Sequence, residues 1–528
     1  MSRIPASRQI VMLSKTNVQS FPDKKMRTSS VLAVSLLALL IAGAGIVFVQ
    51  RAWSGRDVVR NGSVIQLGPK GDLQRAINQA KPGETIVLQA GAVYTGPFTL
   101  PVKSGSEFIT IQSSRVSELP EGVRVSPAKS ALFAKLQSAE KDAAVVKTEP
   151  GAHHFKFIGI EFSTADENVV VHDLIRLGDA QQTTLDAVPH HFVFDRVYIH
   201  GFPTQDVQRG ISLNSADTNI TNSYISDIHG KGYEAQAICG WSGPGRYKII
   251  NNYIEGSTQN IMFGGSDPKI PNLVPSDIEV RDNYMFKPLS WKVGDPSYAG
   301  HHWAVKNLFE LKNARRVVVD HNVFENHWVD AQPGPAILFT VRNQEGSCPW
   351  CIVEDVTFTN NIVKNSPAAL NLLGTDNVKP SARSRKLVIS NNLFIGITGT
   401  FLTMSGYPEV TISNNTHIQT GNIMTLHGQP SPGFVYENNI TARDGNGYGV
   451  KGDATGEGTV ALGEFTPAAS FRNNVIAGAN ASLYPANNFY PGSVNDIGFL
   501  SPEKGDFRLN PRSKYKQLGC DFERLPKQ

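Results

Sequence analysis

Cysteine is scarce in this chain, and a basic surplus is confined to its first residues. Four cysteines in 528 residues exclude a disulfide-dense scaffold and the paired Cys motifs of a zinc ribbon. The net charge is +4, but residues 1–51 contain seven Lys or Arg and one Asp, so residues 52–528 have a net charge of −2. Without a basic surface that neutralises phosphates, we expect no nucleic-acid partner.

The four cysteines divide into two kinds. Cys239 and Cys520 are isolated, which predicts buried or unpaired thiols. Cys348 and Cys351 have the spacing of a redox motif, but they lie in a Gly/Pro loop between strands, whereas a redox centre favours a helix N-terminus. The spacing therefore predicts a loop disulfide or two inert thiols rather than catalysis, and export favours the disulfide.

Long hydrophobic runs are also rare, with one exception near the start. Residues 31–49 contain no charge and are long enough to span a bilayer. Residues 1–30 form a basic tail before this run, which predicts a single-pass signal anchor with a cytoplasmic N-terminus. The alternative is a signal peptide cleaved near Ala42-Gly43-Ala44. Either interpretation exports the body, with 50–62 as a linker.

A repeated phrase organises the remainder of the chain. Short alternating apolar runs end in an Asn-containing pair whose second members are 31, 39, 39, 31, 23, 24 and 35 residues apart. The pairs are Asn251-Asn252, Asp282-Asn283, His321-Asn322, Asn360-Asn361, Asn391-Asn392, Asn414-Asn415, Asn438-Asn439 and Asn473-Asn474. Such repetition indicates a solenoid, and the longer steps indicate inserted loops.

One clean copy shows the physics of the unit. Residues 401–404, 409–413 and 416–419 read as three short strands. Asn414 and Asn415 turn the chain between the last two, since Asn tolerates left-handed backbone. Three strands per coil predict a single-stranded parallel β-helix, in which the Asn pairs stack and each side chain bonds to the next coil.

The ends of the solenoid have their own signals. Residues 72–79 predict a short amphipathic helix that caps the open end, with Leu73, Ala76 and Ile77 facing the core. Residues 127–146 read as a second helix, in an insertion. Asp506 to Leu509 read as a last strand, so we expect one all-β domain over 63–515, followed by a tail over 516–528.

These features resemble the pectate-lyase-like superfamily of right-handed parallel β-helices. The resemblance is carried by the Asn corners, by the start Gly71-Asp72-Leu73-Gln74-Arg75-Ala76-Ile77 with Pro82-Gly83-Glu84-Thr85-Ile86-Val87-Leu88, and by the Asp506 ending. It covers about residues 63–515 and extends to bacterial β-helix proteins of unassigned activity. It implies a right-handed coil, and a lyase in which Arg or Lys acts as the base while Ca²⁺ or cationic side chains neutralise a uronate carboxylate.

Setting six strands in register identifies candidate site residues on one outer face. Alternation turns the middle residue of each strand outward; these include Arg176, Glu310 and Asn371, and Asn214, Lys312 and Arg342 follow their strands. Lys312 and Arg342 are the predicted catalytic base and cation, with Glu310 tuning Lys312. The predicted polysaccharide-binding residues are Arg176, Asn214, Lys306, Trp303, Asn371 and Asp376.

As part of the lyase hypothesis, Asp217 and Asp267 are candidate Ca²⁺ ligands, although two coils separate them, about 10 Å at the strand spacing. Two alternative functions remain. One is a glycoside hydrolase, for which Asp267 with Glu310 is the best pair. The other is a non-catalytic glycan-binding or surface structural protein, since fold alone does not decide function. His301 and His302 are weaker ligand candidates.

Overall fold

In a computed structural model, which describes residues 58–443 and 449–527, strands pair across coils. From Val64–Leu67 to Val475–Ala477, each strand pairs in parallel with its counterparts in the coils before and after. Three long parallel sheets result, one from each side of the coil. The predicted parallel β-helix is therefore confirmed. In proteins generally, connections between parallel strands of one sheet are right-handed in nearly all cases, which is the sense that the resemblance implies.

Sheet 1 is the longest of the three and ends in the Asn corners. Within the described residues its strands, in order, are Val58–Asn61, Val64–Leu67, Thr85–Leu88, Ile109–Ser113, His153–Ile158, His190–Asp195, Ala216–Thr221, Gly245–Ile250, Ser276–Arg281, Ala314–Asp320, Val353–Thr359, Arg385–Ser390, Val410–Ser413, Val435–Glu437 and Ser470–Arg472. The first strand pairs antiparallel with the second. It lies within the predicted linker, so residues 58–61 of that linker form a strand of sheet 1.

Sheet 2 follows the Asn corner, and sheet 3 precedes the long loops. The strands of sheet 2 are Val93–Gly96, Ala134–Ser138, Ile160–Thr164, Tyr198–His200, Tyr224–Ser226, Tyr253–Glu255, Tyr284–Phe286, Val323–Glu325, Ile362–Ser366, Leu393–Ile397, Thr416–Gln419, Ile440–Ala442 and Val475–Ala477. Those of sheet 3 are Phe98–Leu100, Val146–Thr148, Val171–Leu177, Val207–Leu213, Gln236–Gly240, Gln259–Phe263, Phe309–Leu311, Ile337–Thr340, Leu370–Leu373, Leu402–Ser405, Met424–Leu426 and Val450–Gly452. Sheet 3 carries the candidate site.

The core is a stack of inward side chains shared by all three sheets. Ile175, Ile211 and Ile238 occupy one register column and are completely buried. Phe157 stacks on Phe194 with ring centroids 5.2 Å apart. Each such side chain contributes roughly 1.5–3 kcal/mol by leaving water, and it does so against the neighbouring coils, so the coils stabilise one another.

The Asn corners form the predicted ladder. The first residue of each pair has a left-handed backbone, with φ of 57° at His321 and 55° at Asn360. The second residue bonds to the adjacent coil: Asn361 Oδ1 accepts from the Asn322 amide at 2.9 Å. The same bond recurs along the corners, and the ladder ends where Asn488 Oδ1 accepts from the Asn474 amide. Buried amides at the corner are thereby satisfied.

The ends confirm one predicted helix and correct another. Helix α1, Leu73–Gln79, begins at Asp72, which caps it by accepting from the Arg75 amide at 2.9 Å. Residues 127–146 are not a helix of the predicted kind: a short 3₁₀ helix, Pro127–Leu132, precedes the strand Ala134–Ser138. That strand alternates buried and partly exposed residues with a period of two, which suits a sheet.

The remaining elements are short. Helix α2 is Thr459–Phe465, and an antiparallel pair joins Phe499–Ser501 to the predicted last strand Asp506–Leu509. The other 3₁₀ helices are Val116–Glu118, Leu185–Ala187, Leu289–Trp291, Ala481–Leu483, Val494–Ile497, Pro502–Lys504 and Phe522–Arg524. Before the last of these helices the chain returns to the solenoid, where the Gly519 amide donates to Asn438 O at 2.8 Å.

Membrane anchoring concerns residues that the structure leaves undescribed. The apolar run 31–49 and the basic tail 1–30 both lie outside the described residues. Within 58–443 and 449–527, no helix is both long and apolar enough to cross a membrane.

Candidate functional site

The outer face of sheet 3 carries a continuous polar row. Asp173, Arg209, Gln236 and Gln259 lie opposite one another on four successive strands. A second row runs beside it, and its members in strand order are Arg176, Ser212, Cys239, Met262 and Glu310. Because the strands are in exact register, residues far apart in sequence become neighbours on this face, which we call the sheet 3 outer face.

Arginine dominates one end of this face. Asp173 accepts from Arg176 Nε at 2.6 Å and from Arg209 Nη1 at 3.2 Å. The Arg209 guanidinium also lies over the Trp241 ring, 5.0 Å from its centroid. Two arginines share one buried carboxylate here, so positive charge remains in excess at this end of the sheet 3 outer face.

The predicted pair of Lys312 and Glu310 forms at the other end. Lys312 Nζ lies 3.7 Å from Glu310 Oε1, and the Glu310 side chain is almost completely buried. Glu310 Oε2 also accepts from Gln259 Nε2 at 2.9 Å and from Asn307 Nδ2 at 3.1 Å. With these donors Glu310 is held in one position, and it orients the Lys312 amine.

Glu234 interacts electrostatically with cations at both ends of this face, Arg209 at one and Lys312 at the other. It accepts from Lys306 Nζ, and from Gln236 Nε2 at 3.0 Å. Burial acts to raise the pKa of Glu234, but the hydrogen bond from Lys306 and the charges of Lys312 and Arg209 together lower it below its ordinary value. Glu234 is therefore an anion surrounded by cations.

Several buried polar atoms on this face have no protein partner within the described residues. They are Arg209 Nε, Gln236 Oε1, Trp241 Nε1 and Asn307 Oδ1. Buried polar groups are normally hydrogen-bonded, so such atoms indicate that water or a ligand completes the arrangement. Their mixture of donors and acceptors suits sugar hydroxyls.

Burial raises the pKa of the Cys239 thiol to about 11, which makes Cys239 a poor nucleophile at neutral pH.

Two predicted binding residues are structural instead. Asn214 is completely buried, and its Oδ1 accepts from the backbone amides of Trp241 and Ser242 at 3.0 and 2.9 Å. Trp303 is 1% exposed and stacks on His229 with centroids 3.8 Å apart. Neither offers a surface to a sugar, because both side chains pack into the body of the protein.

Arg342 and Asp376 form a loop contact rather than a part of the sheet 3 outer face. Arg342 Nη1 donates to Asn377 Oδ1 at 2.6 Å and lies 3.2 Å from Asp376 Oδ1. Asp376 also accepts from the amides of Asn343 and Val378. The predicted pairing of Lys312 with Arg342 has no direct contact between side chains. Asn371 lies on the sheet 3 strand Leu370–Leu373, opposite Leu338 of the preceding strand.

The predicted calcium pair does not fit a shared ion. Asp217 belongs to the sheet 1 strand Ala216–Thr221, where both of its oxygens accept from Arg246. Asp267 Oδ2 accepts from Ser347 N at 2.8 Å and from Glu345 N at 3.1 Å. Asp217 lies in sheet 1 and Asp267 in the loop after a sheet 3 strand, so the two carboxylates do not converge, whereas one Ca²⁺ needs several oxygens together.

The remaining predicted ligands and thiols also have defined partners. His302 Nε2 lies 2.7 Å from Asp330 Oδ2, while His301 stacks on Trp303. Cys348 and Cys351 form a disulfide, the first of the two predicted alternatives. Cys239 and Cys520 are buried free thiols, as predicted.

The sequence analysis missed residues that a fuller register would have shown. Arg209 precedes the aligned residues 211–213 of its own strand, and Glu234 and Gln236 belong to a coil whose strand, Gln236–Gly240, was not aligned. A second missed feature is the repeated sequence His-His-Phe, at 153–155 and 190–192, before two strands of the same sheet. Its signal is the identical phrase at equivalent coil positions.

Comparison with known proteins finds similarity only among solved structures. No protein-family model and no curated protein sequence matches the chain. Pectate lyase Pel9A is 14% identical over 64% of this chain and 72% of its own, with a TM-score of 0.39. The PL6 family alginate lyase AlyGC is 14% identical over 88% of this chain and 57% of its own, with a TM-score of 0.47. PfbA, a surface adhesin of Streptococcus pneumoniae, is 13% identical over 68% of this chain and 88% of its own, with a TM-score of 0.36.

These similarities are distant, and strand pairing itself defines the architecture. Three parallel sheets, a shared core and a continuous Asn ladder are the features that the resemblance implied. The chain therefore has the parallel β-helix fold expected of the pectate-lyase-like superfamily.

Proposed function

We propose that the sheet 3 outer face binds an acidic, uronate-containing polysaccharide and cleaves it as a lyase, with Lys312 as the base. The observation that carries this proposal is the charge on the face. Four cations, Arg176, Arg209, Lys306 and Lys312, surround three carboxylates. These seven groups together have a net charge of +1, on a body whose net charge is −2. A bound uronate supplies the missing anion.

The chemistry follows from these groups. Lys312 first releases its proton to solvent, and the free amine then takes the proton from the carbon beside the uronate carboxylate. The electrons of that C–H bond form a C=C bond while the adjacent glycosidic C–O bond breaks, and the leaving oxygen takes a proton from water. Arg209 and Lys306 stabilise the negative charge that develops on the carboxylate. No step uses Ca²⁺, because Asp217 and Asp267 lie in different parts of the coil and do not converge on one ion.

The full-length chain is tested against uronate-containing and neutral polysaccharides. We expect ultraviolet-absorbing unsaturated products from an acidic polymer, and their loss in Lys312→Ala. Lys248→Ala is the matched control, since Lys248 is exposed on sheet 1, and its activity should equal that of the unchanged chain. General base removal typically lowers the rate by about 10²–10⁴-fold.

Two other outcomes distinguish the alternatives. Reducing ends without ultraviolet absorbance would indicate a hydrolase and overturn the lyase step. The structure disfavours a hydrolase, because Asp267, one of its two candidate carboxylates, is held by loop amides. Retention of the acidic polymer without products, abolished in Arg209→Met, would support a non-catalytic binding protein.

We also propose that the body is exported and that residues 31–49 anchor it to a membrane, with residues 1–30 in the cytoplasm. The disulfide between Cys348 and Cys351 supports export, since such bonds persist in oxidising compartments. Secretion after cleavage near Ala42-Gly43-Ala44 is the alternative.

A further inference from the structure

Four histidines meet on the outside of sheet 1, away from the sheet 3 outer face. His153 and His154 open one strand, and His190 and His191 open the next, with His190 directly opposite His153. The His153 and His190 rings stack with centroids 4.8 Å apart, and the His154 and His191 rings at 4.3 Å. The rings form a two-by-two array across two coils.

Backbone conformation brings the two members of each pair together. Successive residues of a strand normally point to opposite faces. His154 and His191 instead have φ of 59°, a left-handed conformation that returns the second imidazole to the side of the first. As a result, the Nδ1 atoms of His153 and His154 lie 2.8 Å apart, and those of His190 and His191 lie 2.6 Å apart.

We propose that His154, His190 and His191 bind a divalent transition-metal ion such as Zn²⁺. Ligand nitrogens of these three side chains all lie within 4.8 Å of one another. Imidazole nitrogens bind Zn²⁺ at about 2.0–2.1 Å, so tetrahedral ligands lie about 3.3 Å apart. Small rotations of the rings about their side-chain bonds reach this spacing. His153 contacts His154 and is a positioning residue.

A carboxylate and a guanidinium lie beside the histidine array. Asp217 lies on the next coil, with Oδ2 3.8 Å from His191 Nδ1, and Arg246 holds its carboxylate. In metal sites a carboxylate close to the imidazole ligands helps to orient the rings.

Later coils show that this histidine arrangement is particular to two strands. The same left-handed position is filled by Asp217, Arg246, Asp277, Arg316, Asp355, Lys386 and Glu409. Opposite charges alternate there, and Arg316 donates to Asp277 at 2.7 and 2.8 Å. Ion pairs thus stabilise the later coils, whereas the histidine coils present ring nitrogens that a metal ion can join.

The test is metal binding by the full-length chain without an affinity tag. After equilibrium dialysis against micromolar Zn²⁺, we expect one Zn²⁺ per chain by elemental mass spectrometry. The double variant His154→Asn with His191→Asn removes two ligands, while Asn accepts the left-handed backbone. Its affinity should fall by more than about tenfold, the lower end of the loss caused by removing an outer-shell partner.

The matched control is His172→Asn with His302→Asn, which changes two exposed histidines elsewhere and should retain one Zn²⁺. Circular dichroism of both double variants checks that the coil is intact. With Cu²⁺, nitrogen hyperfine structure in the electron paramagnetic resonance spectrum should report imidazole ligands. Absence of Zn²⁺ in the unchanged chain, or equal affinity in the histidine-array variant, would overturn the proposal.

Discussion

Replacing Asn361 by Ala tests the Asn ladder at its centre. The Asn361 side chain is completely buried, and its Oδ1 accepts from the Asn322 amide at 2.9 Å and from Asn322 Nδ2 at 3.0 Å. Its Nδ2 donates to Val319 O at 3.0 Å and to Asn392 Oδ1 at 3.1 Å. The substitution therefore acts on three coils at once.

The expected loss follows from the groups left behind. In Asn361→Ala, the Asn322 amide and the Val319 carbonyl each lose the hydrogen bond that Asn361 makes with them. Each buried group deprived of a partner costs about 1–3 kcal/mol. Allowing for other partners at the carbonyl, we expect the free energy of unfolding to fall by about 2–4 kcal/mol, which is about 30- to 1,000-fold in the equilibrium constant.

Urea unfolding followed by circular dichroism measures this loss, and hydrogen exchange at the Asn322 amide localises it. The control is Thr357→Ala in the strand before the same corner, at a partly exposed position, where a change within about 0.5 kcal/mol is expected. A loss in Asn361→Ala no larger than in the control would refute the reasoning, because the ladder would then contribute nothing beyond its turn conformation.

Two further predictions concern pH and the membrane. Burial lowers the pKa of His417 to about 3, below the unfolded value of about 6.5, so its contribution to stability is full above pH 6.5 and is lost as the pH falls towards 3. In His417→Gln, the plot of unfolding free energy against pH from 6 to 4 should be less steep by about 1.4 kcal/mol per unit; an unchanged slope would contradict this. In cells, the chain should stay in the membrane pellet after carbonate extraction and be released by deletion of residues 1–49, and recovery of a soluble, shortened chain would instead show cleavage.

Much of the architecture was predictable because its signals are local. An Asn corner requires a residue with left-handed backbone followed by an Asn with a buried side-chain amide. Both requirements are met by two adjacent residues, so they can be recognised in the sequence. The strands Leu402–Ser405, Val410–Ser413 and Thr416–Gln419 lie within a residue of their predicted positions for the same reason. The error at 127–146 arose because a short segment can match both the alternation of a strand and the periodicity of a helix. Residues 134–138 form a strand because they pair with the adjoining strands Val93–Gly96 and Ile160–Thr164.

The candidate site was predictable only in part. Glu310 lies in the strand Phe309–Leu311 and Lys312 is the first residue after it, so their contact followed from alternation. Arg209 lies before the aligned residues of its strand, and Glu234 precedes the strand Gln236–Gly240, which was not aligned. The burial of Trp303 depends on His229 and on Trp291, across an inserted loop. The calcium hypothesis was wrong in its geometry because Asp217 had already entered sheet 1, where Arg246 of the next coil pairs with it.

The amino-acid order by itself determined the coil, its corners and the direction in which most strand residues point. These depend on backbone preferences and alternation, which act over a few residues. Only the tertiary structure decided which polar side chains became partners: Arg209 with Asp173, Glu234 with Lys306, and His154 with His191. The physical reason is that coils of unequal length bring distant residues into register, and the loops between them leave no periodic trace.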